Sequence, residues 1–320
     1  MRLAADHERQ RVSALTDAPA AVSRPSFASF WAGQGLSALD KACLLSFVSG
    51  GHAVTLYSFE EIDNLPDGIT LRDAREIAAF EAHDAFLYQG TPNLAHFSDY
   101  FRYQLMARSP HVWIDTDLLM LRPLDLDSVA TLFAKESERS ICNAILRIPG
   151  DDPALKEVIA RTERLMHTNL VWGATGPRLL NQVLGATAVL KQAHPPNRFF
   201  PIHYNDFWKP FLPECAPECA EACRDAYTLH LWNNIVVRMG VWKELAPPEG
   251  SFLWMCLRER GLLHLFRDTY PAEVMRHMVT NWKFRKSGAD IGVVQVARQV
   301  FPSMIRTTAP RVRALFQARR

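Results

Sequence analysis

The spacing of apolar residues near the start of the chain predicts a strand, a helix and a second strand. The apolar runs at 27–31 (FASFW) and 52–57 (HAVTLY) are short, as is typical of strands. Between them, after a loop that contains Gly33 and Gly35, one helical face collects the apolar residues Leu39, Cys43, Leu44 and Phe47. This order is a βαβ unit, which implies a parallel sheet and an α/β fold.

A second amphipathic helix is predicted to begin after Asn93, a helix-capping residue, and to end before Pro110. Its apolar stripe consists of Leu94, Phe97, Phe101 and Leu105. The run HVWIDTDLLML at 111–121 then predicts a buried strand with two carboxylates in its middle. The pattern further predicts a strand and two helices, at 141–146, at 153–166 and from Pro177 onward.

The composition is that of an ordinary globular protein, with 320 residues of which 48% are hydrophobic and 22% charged. A formal net charge of +2 is too small to indicate a nucleic acid as partner. No stretch reaches the roughly 18 to 20 apolar residues that would span a bilayer, and the first residues lack the apolar middle of a secretory signal. These features predict a cytoplasmic protein, in which the six cysteines would be reduced.

We expect a disordered leader at 1–24, a catalytic domain at 25–240 and a C-terminal helical extension at 241–320. The segment 283–320 is a basic tail with nine Lys or Arg residues and one acid, Asp290, around a Val and Phe patch. Such a tail predicts peripheral contact with the anionic inner face of a membrane. A solvated surface helix is the alternative.

Asp115 and Asp117 lie two residues apart on the strand predicted at 111–121. In an extended strand both side chains would point to the same face, where two carboxylates repel and a divalent cation such as Mg²⁺ or Mn²⁺ would relieve the repulsion. In open α/β sheets, ligands bind beyond the carboxyl ends of strands, which favours this metal site. The alternative is a pair of solvated aspartates at a strand end.

The helix before this strand carries Ser98, Asp99 and Arg102 on its polar side. Asp99 and Arg102 are three residues apart, so they can pair on the helix surface. One interpretation is an exposed ion pair of little energetic weight. The other is a clamp for a donor sugar, in which the carboxylate accepts hydroxyl groups and the guanidinium fixes an oxygen.

The run AHFSDYFRYQLM…VWIDTDLLMLRPLD resembles the DXD-containing, sugar-binding region of glycosyltransferase family 32. It is also similar to α-1,4-galactosyltransferases, to α-1,4-N-acetylglucosaminyltransferases and to the glucosyltransferase domain of large clostridial toxins. The shared pattern is S-D-x-x-R followed, after about ten residues, by a strand with an aromatic residue and D-x-D. This chain matches the pattern in order with Ser98, Asp99, Arg102, Trp113, Asp115 and Asp117. Where the pattern has a Gly-Gly pair before the strand, this chain has Ser109, Pro110 and His111.

This resemblance implies a GT-A-like fold, a mostly parallel central sheet with helical additions, that binds a nucleotide sugar. The first strand and loop would hold the nucleotide, with Trp31 near the base and Gly33 allowing close approach; core packing is the alternative for Trp31. Asn143 would lie near the sugar. His230 would be a third metal ligand, although a structural histidine beside Trp232 is the alternative.

The implied reaction is metal-dependent, retaining transfer of a hexose or N-acetylhexosamine from a UDP-linked donor to a glycan or lipid-linked saccharide. Mn²⁺ or Mg²⁺ is the expected cofactor, and His203 is a weaker alternative ligand. One rival function is a metal-dependent phosphohydrolase or nucleotidyltransferase, which would need no sugar clamp. Another is a non-catalytic carbohydrate-binding protein on the same fold.

Three cysteines, Cys215, Cys219 and Cys223, are spaced four residues apart. One helical face could present all three to a metal, but Pro217 argues against a regular helix, and zinc sites usually show other spacings. Reduced loop cysteines are therefore the expected interpretation.

Overall fold

The computed structural model describes residues 24–124, 130–185 and 189–286, together with isolated positions between 298 and 309. The predicted leader, apart from Arg24, and most of the basic tail lie outside these residues. Within the described part of the chain, no helix is long and apolar enough to cross a membrane.

The described residues form both strands and helices along the whole of their length. The strands are β1 Phe27–Trp31, β2 Val54–Ser58, β3 Ile69–Asp73, β4 Leu87–Tyr88, β5 Thr91–Pro92, β6 Val112–Ile114, β7 Leu118–Met120, β8 Leu132–Ser137, β9 Ser140–Arg147, β10 Asn169–Leu170, β11 Thr228–His230, β12 Leu245–Ala246 and β13 Asp268–Thr269. The α-helices are α1 Ala38–Ser49, α2 Leu94–Arg108, α3 Pro153–Arg164, α4 Pro177–Leu184, α5 Val189–Gln192, α6 Pro196–Phe199, α7 Ala216–Ala222, α8 Asn233–Met239, α9 Phe252–Glu259 and α10 Ala272–Lys286.

A central six-stranded sheet has the order β3-β2-β1-β6-β9-β8. The first four of these strands are parallel to one another, and β9 and β8 continue the sheet in antiparallel orientation. The predicted α/β class, with a mostly parallel sheet and helical additions, is therefore confirmed, and this is the architecture expected of a GT-A-like fold. The carboxyl ends of β1 and β6 lie side by side at one edge of the sheet.

The predicted ends of the first two helices are confirmed. Ser37 and Asp40 form a reciprocal capping box at the start of α1, and Gly50 follows its last residue. The Asn93 side chain accepts hydrogen bonds from two backbone N–H groups at the start of α2, which ends at Arg108, before Pro110. Local capping chemistry thus sets the orientation of the two helices that carry or face the site.

The predicted continuous strand at 111–121 is wrong. The strand leaves the sheet after Ile114, residues 115–117 form a turn closed by a hydrogen bond from Leu118 N to Asp115 O of 3.3 Å, and β7 then pairs with β11 instead. The break has a physical reason, because two adjacent carboxylates inside a closed ladder would lose water without gaining partners. The turn places them at the edge of the sheet, where they remain partly accessible.

Side chains from both sides of residue 240 share one hydrophobic core. Leu39 and Cys43 of α1 belong to the same buried cluster as Leu253 of α9 and Met275 of α10. The domain boundary at 240 stays a prediction, but residues up to Trp282 help to hold the helix that lies behind the site.

The region 192–226, which is rich in Pro, Cys and aromatic residues, contains α6 and α7 as well as short 3₁₀ helices. Pro217 stands in the first turn of α7, where proline is tolerated because its missing N–H would have no helical partner. The expectation that Pro217 prevents a helix is therefore wrong.

The cysteines on and around α7 are packed as apolar side chains. Cys219, Cys223 and Cys256 are buried, and burial raises the pKa of Cys219 to about 12 and that of Cys256 to about 11. Among the described residues, the cysteines do not form a convergent group of metal ligands. This environment agrees with reduced thiols that contribute to the core.

Candidate metal and donor site

A two-stranded ladder brings His230 to the carboxylate turn. β11 runs antiparallel to β7 in a register that sets His230 opposite Leu118, and Leu231 N donates to Asp117 O at 3.0 Å. Because Leu118 directly follows Asp117, this register places the imidazole beside the second carboxylate. The Nε2 atom of His230 lies 3.3 Å from Oδ2 of Asp117.

Asp115, Asp117 and His230 form a convergent group of potential metal ligands. One oxygen of each carboxylate and one nitrogen of the imidazole all lie within 4.8 Å of one another. Two ligands of an octahedral ion with bonds of about 2.1 Å are separated by roughly 3 to 4 Å, so small side-chain shifts would suffice to bind Mg²⁺ or Mn²⁺. Nε2 is the imidazole nitrogen that faces Asp117, and the buried Nδ1 atom has no hydrogen-bond partner among the described residues.

The two carboxylates differ in their pKa. Burial, with help from the neighbouring Asp117, raises the pKa of Asp115 to about 6 even though Arg102 opposes the shift. Burial would raise the pKa of Asp117 as well, but the charge of His230 and hydrogen bonds to the ionised form outweigh burial and lower it. Asp115 is therefore more easily protonated than Asp117, and a divalent cation between them would reduce the repulsion between the two carboxylates.

The backbone after β11 also contacts Asp117. Trp232 adopts left-handed dihedral angles (φ 55°, ψ 52°), an uncommon state for a large side chain, and its ring lies 4.0 Å from that of His230. The bend directs Asn233 N toward Asp117 Oδ2, to which it donates at 2.6 Å. This strained turn thus holds the imidazole of His230 and the carboxylate of Asp117 together.

Arg102 joins the carboxylate turn to helix α2. Its Nη1 lies 3.1 Å from Oδ1 of Asp115, and its Nη2 lies 3.2 Å from Oδ1 of Asp99. Its guanidinium also lies over the Trp113 ring, whose Nε1 donates to the same oxygen of Asp115 at 2.7 Å. The contacts of Asp115 gather on Oδ1, which leaves its second oxygen for an ion.

Asp99 is a buried centre of hydrogen bonds rather than part of an exposed ion pair. The side chains of Asp99 and Arg102 are only 11% and 5% exposed, so the expected position on the polar side of the helix is wrong. Oδ1 of Asp99 accepts from Asn143 at 2.7 Å, and Oδ2 accepts from the Thr175 hydroxyl at 2.8 Å. The helix turns this polar pair toward the sheet because partners from β9 and from the segment before α4 satisfy it.

Gly176 makes this arrangement possible. A Cβ atom built on Gly176 would lie 2.7 Å from Oδ2 of Asp99 and 3.0 Å from Nδ2 of Asn143. Any larger residue would therefore push Asp99 or Asn143 out of position.

Ser98 and Asn143 also contact Arg102. The backbone oxygen of Ser98 accepts from Arg102 Nε at 3.2 Å, and its hydroxyl oxygen accepts from Nη2 at 3.3 Å. The backbone oxygen of Asn143 accepts from Nη1 at 2.5 Å. The structure thus brings Ser98, Asp99, Arg102 and Asn143 into one network that reaches Asp115.

Trp31 is the last residue of β1 and Gly33 lies just after it; β1 is the parallel neighbour of the strand that leads to Asp115. Trp31 is half-buried and its buried Nε1 atom has no partner among the described residues. Gly33 has φ +120°, a conformation that a side chain would rarely adopt. Lys243 Nζ lies 5.8 Å from the centre of the Trp31 ring and pairs with Asp40 at 2.7 Å.

His203 lies apart from the metal-ligand group. Its Nδ1 accepts from Asn205 N at 3.2 Å at the start of a short 3₁₀ helix, and its ring stacks on Tyr204. The convergent group contains His230 and not His203.

Residues 161–245 match the conserved region of alpha 1,4-glycosyltransferases. The match confirms the predicted relationship to these enzymes. It includes Thr175, Gly176 and His230, while Asp99 and the carboxylate turn lie before it. The prediction of a glycosyltransferase is thereby confirmed, and the two halves of the site, one inside and one outside the matched region, meet in the fold.

A solved structure that resembles this chain is the PaToxG glycosyltransferase. It is 12% identical in sequence, with a TM-score of 0.38, over 52% of this chain and 72% of that one. The prediction of a glycosyltransferase rests on the match at residues 161–245 and on the geometry of the site, and not on this structure.

Three contacts of the site were not foreseen from the sequence. They are made by Thr175, by the backbone of Asn233 and by Lys243. Thr175 lies within the segment GATGPRLL at 173–180, which the family resemblance places around the sugar pocket, but no sequence pattern indicates that Thr175 bonds to Asp99. Asn233 acts through its N–H, which no side-chain pattern can indicate.

Proposed function

We propose that this chain transfers a hexose or N-acetylhexosamine from a UDP-linked donor to a glycan or lipid-linked saccharide, with retention of configuration. The observation that carries the proposal is the convergence of Asp115, Asp117 and His230 within 4.8 Å, next to a buried polar network. These residues come from two distant parts of the chain, and their meeting at a sheet edge fits a built site better than solvated aspartates.

Asp115, Asp117 and His230 would hold Mn²⁺ or Mg²⁺. When bound there, the ion would act as a Lewis acid that offsets the charge developing on the leaving diphosphate. The chain itself keeps the ligands oriented, since Arg102 and Trp113 fix one oxygen of Asp115 and Asn233 N fixes one oxygen of Asp117. Such supporting contacts commonly tune metal affinity.

Asp99, Arg102, Ser98 and Asn143 would form the floor of the donor-sugar subsite. Their network is rigid because both oxygens of Asp99 have side-chain partners and Arg102 is held by four neighbours. A preorganised set of this kind fixes a sugar oxygen without reorganising during the reaction. The direct contacts of these residues with the sugar are part of the proposal.

Trp31 and Gly33 would hold the nucleotide. The unpartnered Nε1 of Trp31 can donate to a base or ribose oxygen, and the open backbone at Gly33 permits close approach. Both lie at the carboxyl end of β1, which adjoins that of β6, so a nucleotide there would direct its diphosphate toward Asp115.

Retention requires either a carboxylate nucleophile or assistance from the leaving phosphate. Asp99 is poorly suited to attack because it is buried and both its oxygens accept hydrogen bonds. Asp115 and Asp117 are the proposed metal ligands. This arrangement favours a mechanism in which the leaving phosphate assists and the protein supplies binding and orientation.

A donor screen tests the proposal. The purified protein is incubated with Mn²⁺ and a panel of nucleotide sugars, and hydrolysis or transfer is followed by NMR. We expect one or two UDP sugars to release UDP and the free sugar with its original anomeric configuration as the first product. Release of inorganic phosphate or of UMP would instead indicate the phosphohydrolase or nucleotidyltransferase, and metal-independent sugar binding without turnover would indicate the carbohydrate-binding protein.

A further inference from the structure

A groove of about 420 Å³ lies between the end of α3 and the start of α4. Its charged residues are Arg161, Arg164 and Arg178, and we call it the arginine groove. Its apolar wall includes Leu165, Val171 and Leu179. Three positive charges around one apolar cavity are an unusual combination for a surface without a ligand, because like charges repel.

The positive charge in this groove is only partly neutralised. Arg161 pairs with Glu157 at 2.6 Å. The hydrogen bond from Arg161 lowers the pKa of Glu157, and the nearby charge of Arg164 contributes to that shift. Within the described ranges, neither Arg164 nor Arg178 forms a close ion pair with a carboxylate. Arg178 is exposed, and its Cγ atom lies 3.7 Å from where a Cβ would stand on Gly173, so the first part of its side chain runs beside that bend. At least two guanidinium groups are therefore open to an oxyanion, for which their planar donors are well suited.

The apolar wall is open to solvent in part. Val171 is 60% exposed and the neighbouring Trp172 is 46% exposed. Exposed apolar residues beside a positively charged rim suit an amphiphile that joins an oxyanion to a hydrocarbon chain, whereas a simple soluble anion would leave the wall uncovered.

The groove directly adjoins the proposed donor-sugar subsite. Ala174 lines the groove, and the next residue, Thr175, donates to Asp99. Trp172 lies between Val171 and Thr175 in the chain, and its ring contacts those of Tyr88 and His96. The exposed part of the Trp172 ring offers a surface on which a sugar could stack. A molecule held in the groove can therefore extend a saccharide along this segment toward the clamp.

We propose that the arginine groove binds the phosphate and the first part of the apolar chain of a lipid-linked acceptor saccharide. This inference rests on the proposed glycosyl transfer and names the acceptor class for it. Arg164 and Arg178 bind the phosphate, Val171 and Leu165 contact the chain, and Trp172 faces the sugar.

Binding of three probes to the full chain tests this assignment without using activity. Hexyl phosphate carries the phosphate and the alkyl chain, glucose 1-phosphate has the phosphate without an alkyl chain, and hexyl glucoside has the alkyl chain without a phosphate. We expect isothermal titration at low salt to give the tightest binding for hexyl phosphate, by about tenfold or more over either partial probe. Equal affinity for hexyl phosphate and glucose 1-phosphate would overturn the lipid-linked class.

A double variant locates the binding. Arg164→Gln with Arg178→Gln should weaken hexyl phosphate binding by about tenfold or more, because it removes two charge-assisted contacts. The matched control, Arg139→Gln with Arg224→Gln, removes the same charge from exposed positions elsewhere and should leave binding unchanged. Equal loss in both variants, or no loss in the groove variant, would overturn the proposal.

Donor hydrolysis distinguishes a failure of the acceptor site from a failure of the proposed glycosyl transfer. The groove variant should keep the wild-type rate of donor hydrolysis by water, which needs only the metal and donor subsites. Asp117→Asn should lose donor hydrolysis and keep hexyl phosphate binding. Loss of hydrolysis in the groove variant would mean that the arginines serve the donor, which contradicts the acceptor assignment.

Discussion

Arg102 and Asp115 form a largely buried ion pair, with Nη1 of the guanidinium 3.1 Å from Oδ1 of the carboxylate. The pair links helix α2 to the carboxylate turn, and it couples the proposed sugar clamp to the proposed metal site. Arg102 is therefore both the cation between two carboxylates, Asp99 and Asp115, and the residue that orients a metal ligand.

Replacing Arg102 should destabilise the fold. Arg102→Ala leaves two carboxylates near each other without their cation, and breaking a buried pair of this kind costs about 3 kcal/mol. Chemical denaturation should show this loss in the free energy of unfolding. Arg139→Ala, at an exposed turn, is the control and should leave stability nearly unchanged. A loss of only about 0.5 kcal/mol in Arg102→Ala, as for a surface pair, would contradict the described burial.

Asp99→Asn should lower turnover far more than it lowers affinity for free UDP. The substitution keeps the volume of the side chain but removes the charge that organises Arg102, Asn143 and Thr175. We expect kcat for donor hydrolysis to fall by about a hundredfold, the usual cost of a misplaced reacting group. UDP titration gives the affinity, and Asp67→Asn, at an exposed position, is the control. Parallel losses of UDP affinity and of turnover would show that Asp99 serves the nucleotide.

Gly176→Ala should damage the same network through steric contact alone. The added Cβ would stand 2.7 Å from Oδ2 of Asp99, so the carboxylate or the backbone must move, at a cost of about 2 kcal/mol. The melting temperature and the rate of donor turnover should both decrease. Gly35→Ala, where the nearest atoms are 3.8 Å from the new Cβ, should retain wild-type stability. Full activity in Gly176→Ala would show that Asp99 need not keep its position.

The elements that were predicted correctly are those whose sequence signals lie within a short stretch of the chain. The first strand, both capped helices and the α/β class follow from periodicity and capping residues within a few positions of each other. The continuous strand at 111–121 failed because its apolar flanks dominate the pattern, whereas the desolvation of Asp115 and Asp117 decides where the strand leaves the sheet.

The features of the site that were not predicted depend on contacts between segments that are distant in the sequence. His230 was considered through the family resemblance, but its approach to Asp117 depends on the β7–β11 register. The burial of Asp99 and Arg102 was missed because a polar helical face usually lies in water, and the partners that make burial favourable, such as Asn143, Thr175 and Asp115, come from other elements.

The basic tail is expected to contact anionic membranes. Three of its basic residues, Lys283, Arg285 and Lys286, lie against Trp208 or Trp282, so a truncation that tests the tail should end after Lys286. The full chain should bind phosphatidylglycerol vesicles more tightly than the truncated chain, with roughly 1 kcal/mol from each basic residue that reaches the surface. High salt should weaken this binding.

Co-sedimentation with vesicles measures the difference, and a circular dichroism melt checks that the truncated chain is folded. Equal binding of both chains, or binding of the full chain that salt leaves unchanged, would reject membrane contact. Loss of the cooperative thermal transition in the truncated chain would instead indicate that the tail has a structural role.

The central claim is that Asp115, Asp117 and His230 hold the divalent ion on which glycosyl transfer depends. The most direct measurement is the rate of donor hydrolysis, with the donor found in the screen, for the wild type in Mn²⁺, for the wild type in EDTA and for Asp117→Asn in Mn²⁺. The substitution removes a charged ligand and changes little volume, so the melt of the variant should remain cooperative. We predict activity only for the wild type in Mn²⁺; full activity in EDTA, or unchanged turnover in a folded Asp117→Asn variant, would contradict the metal site.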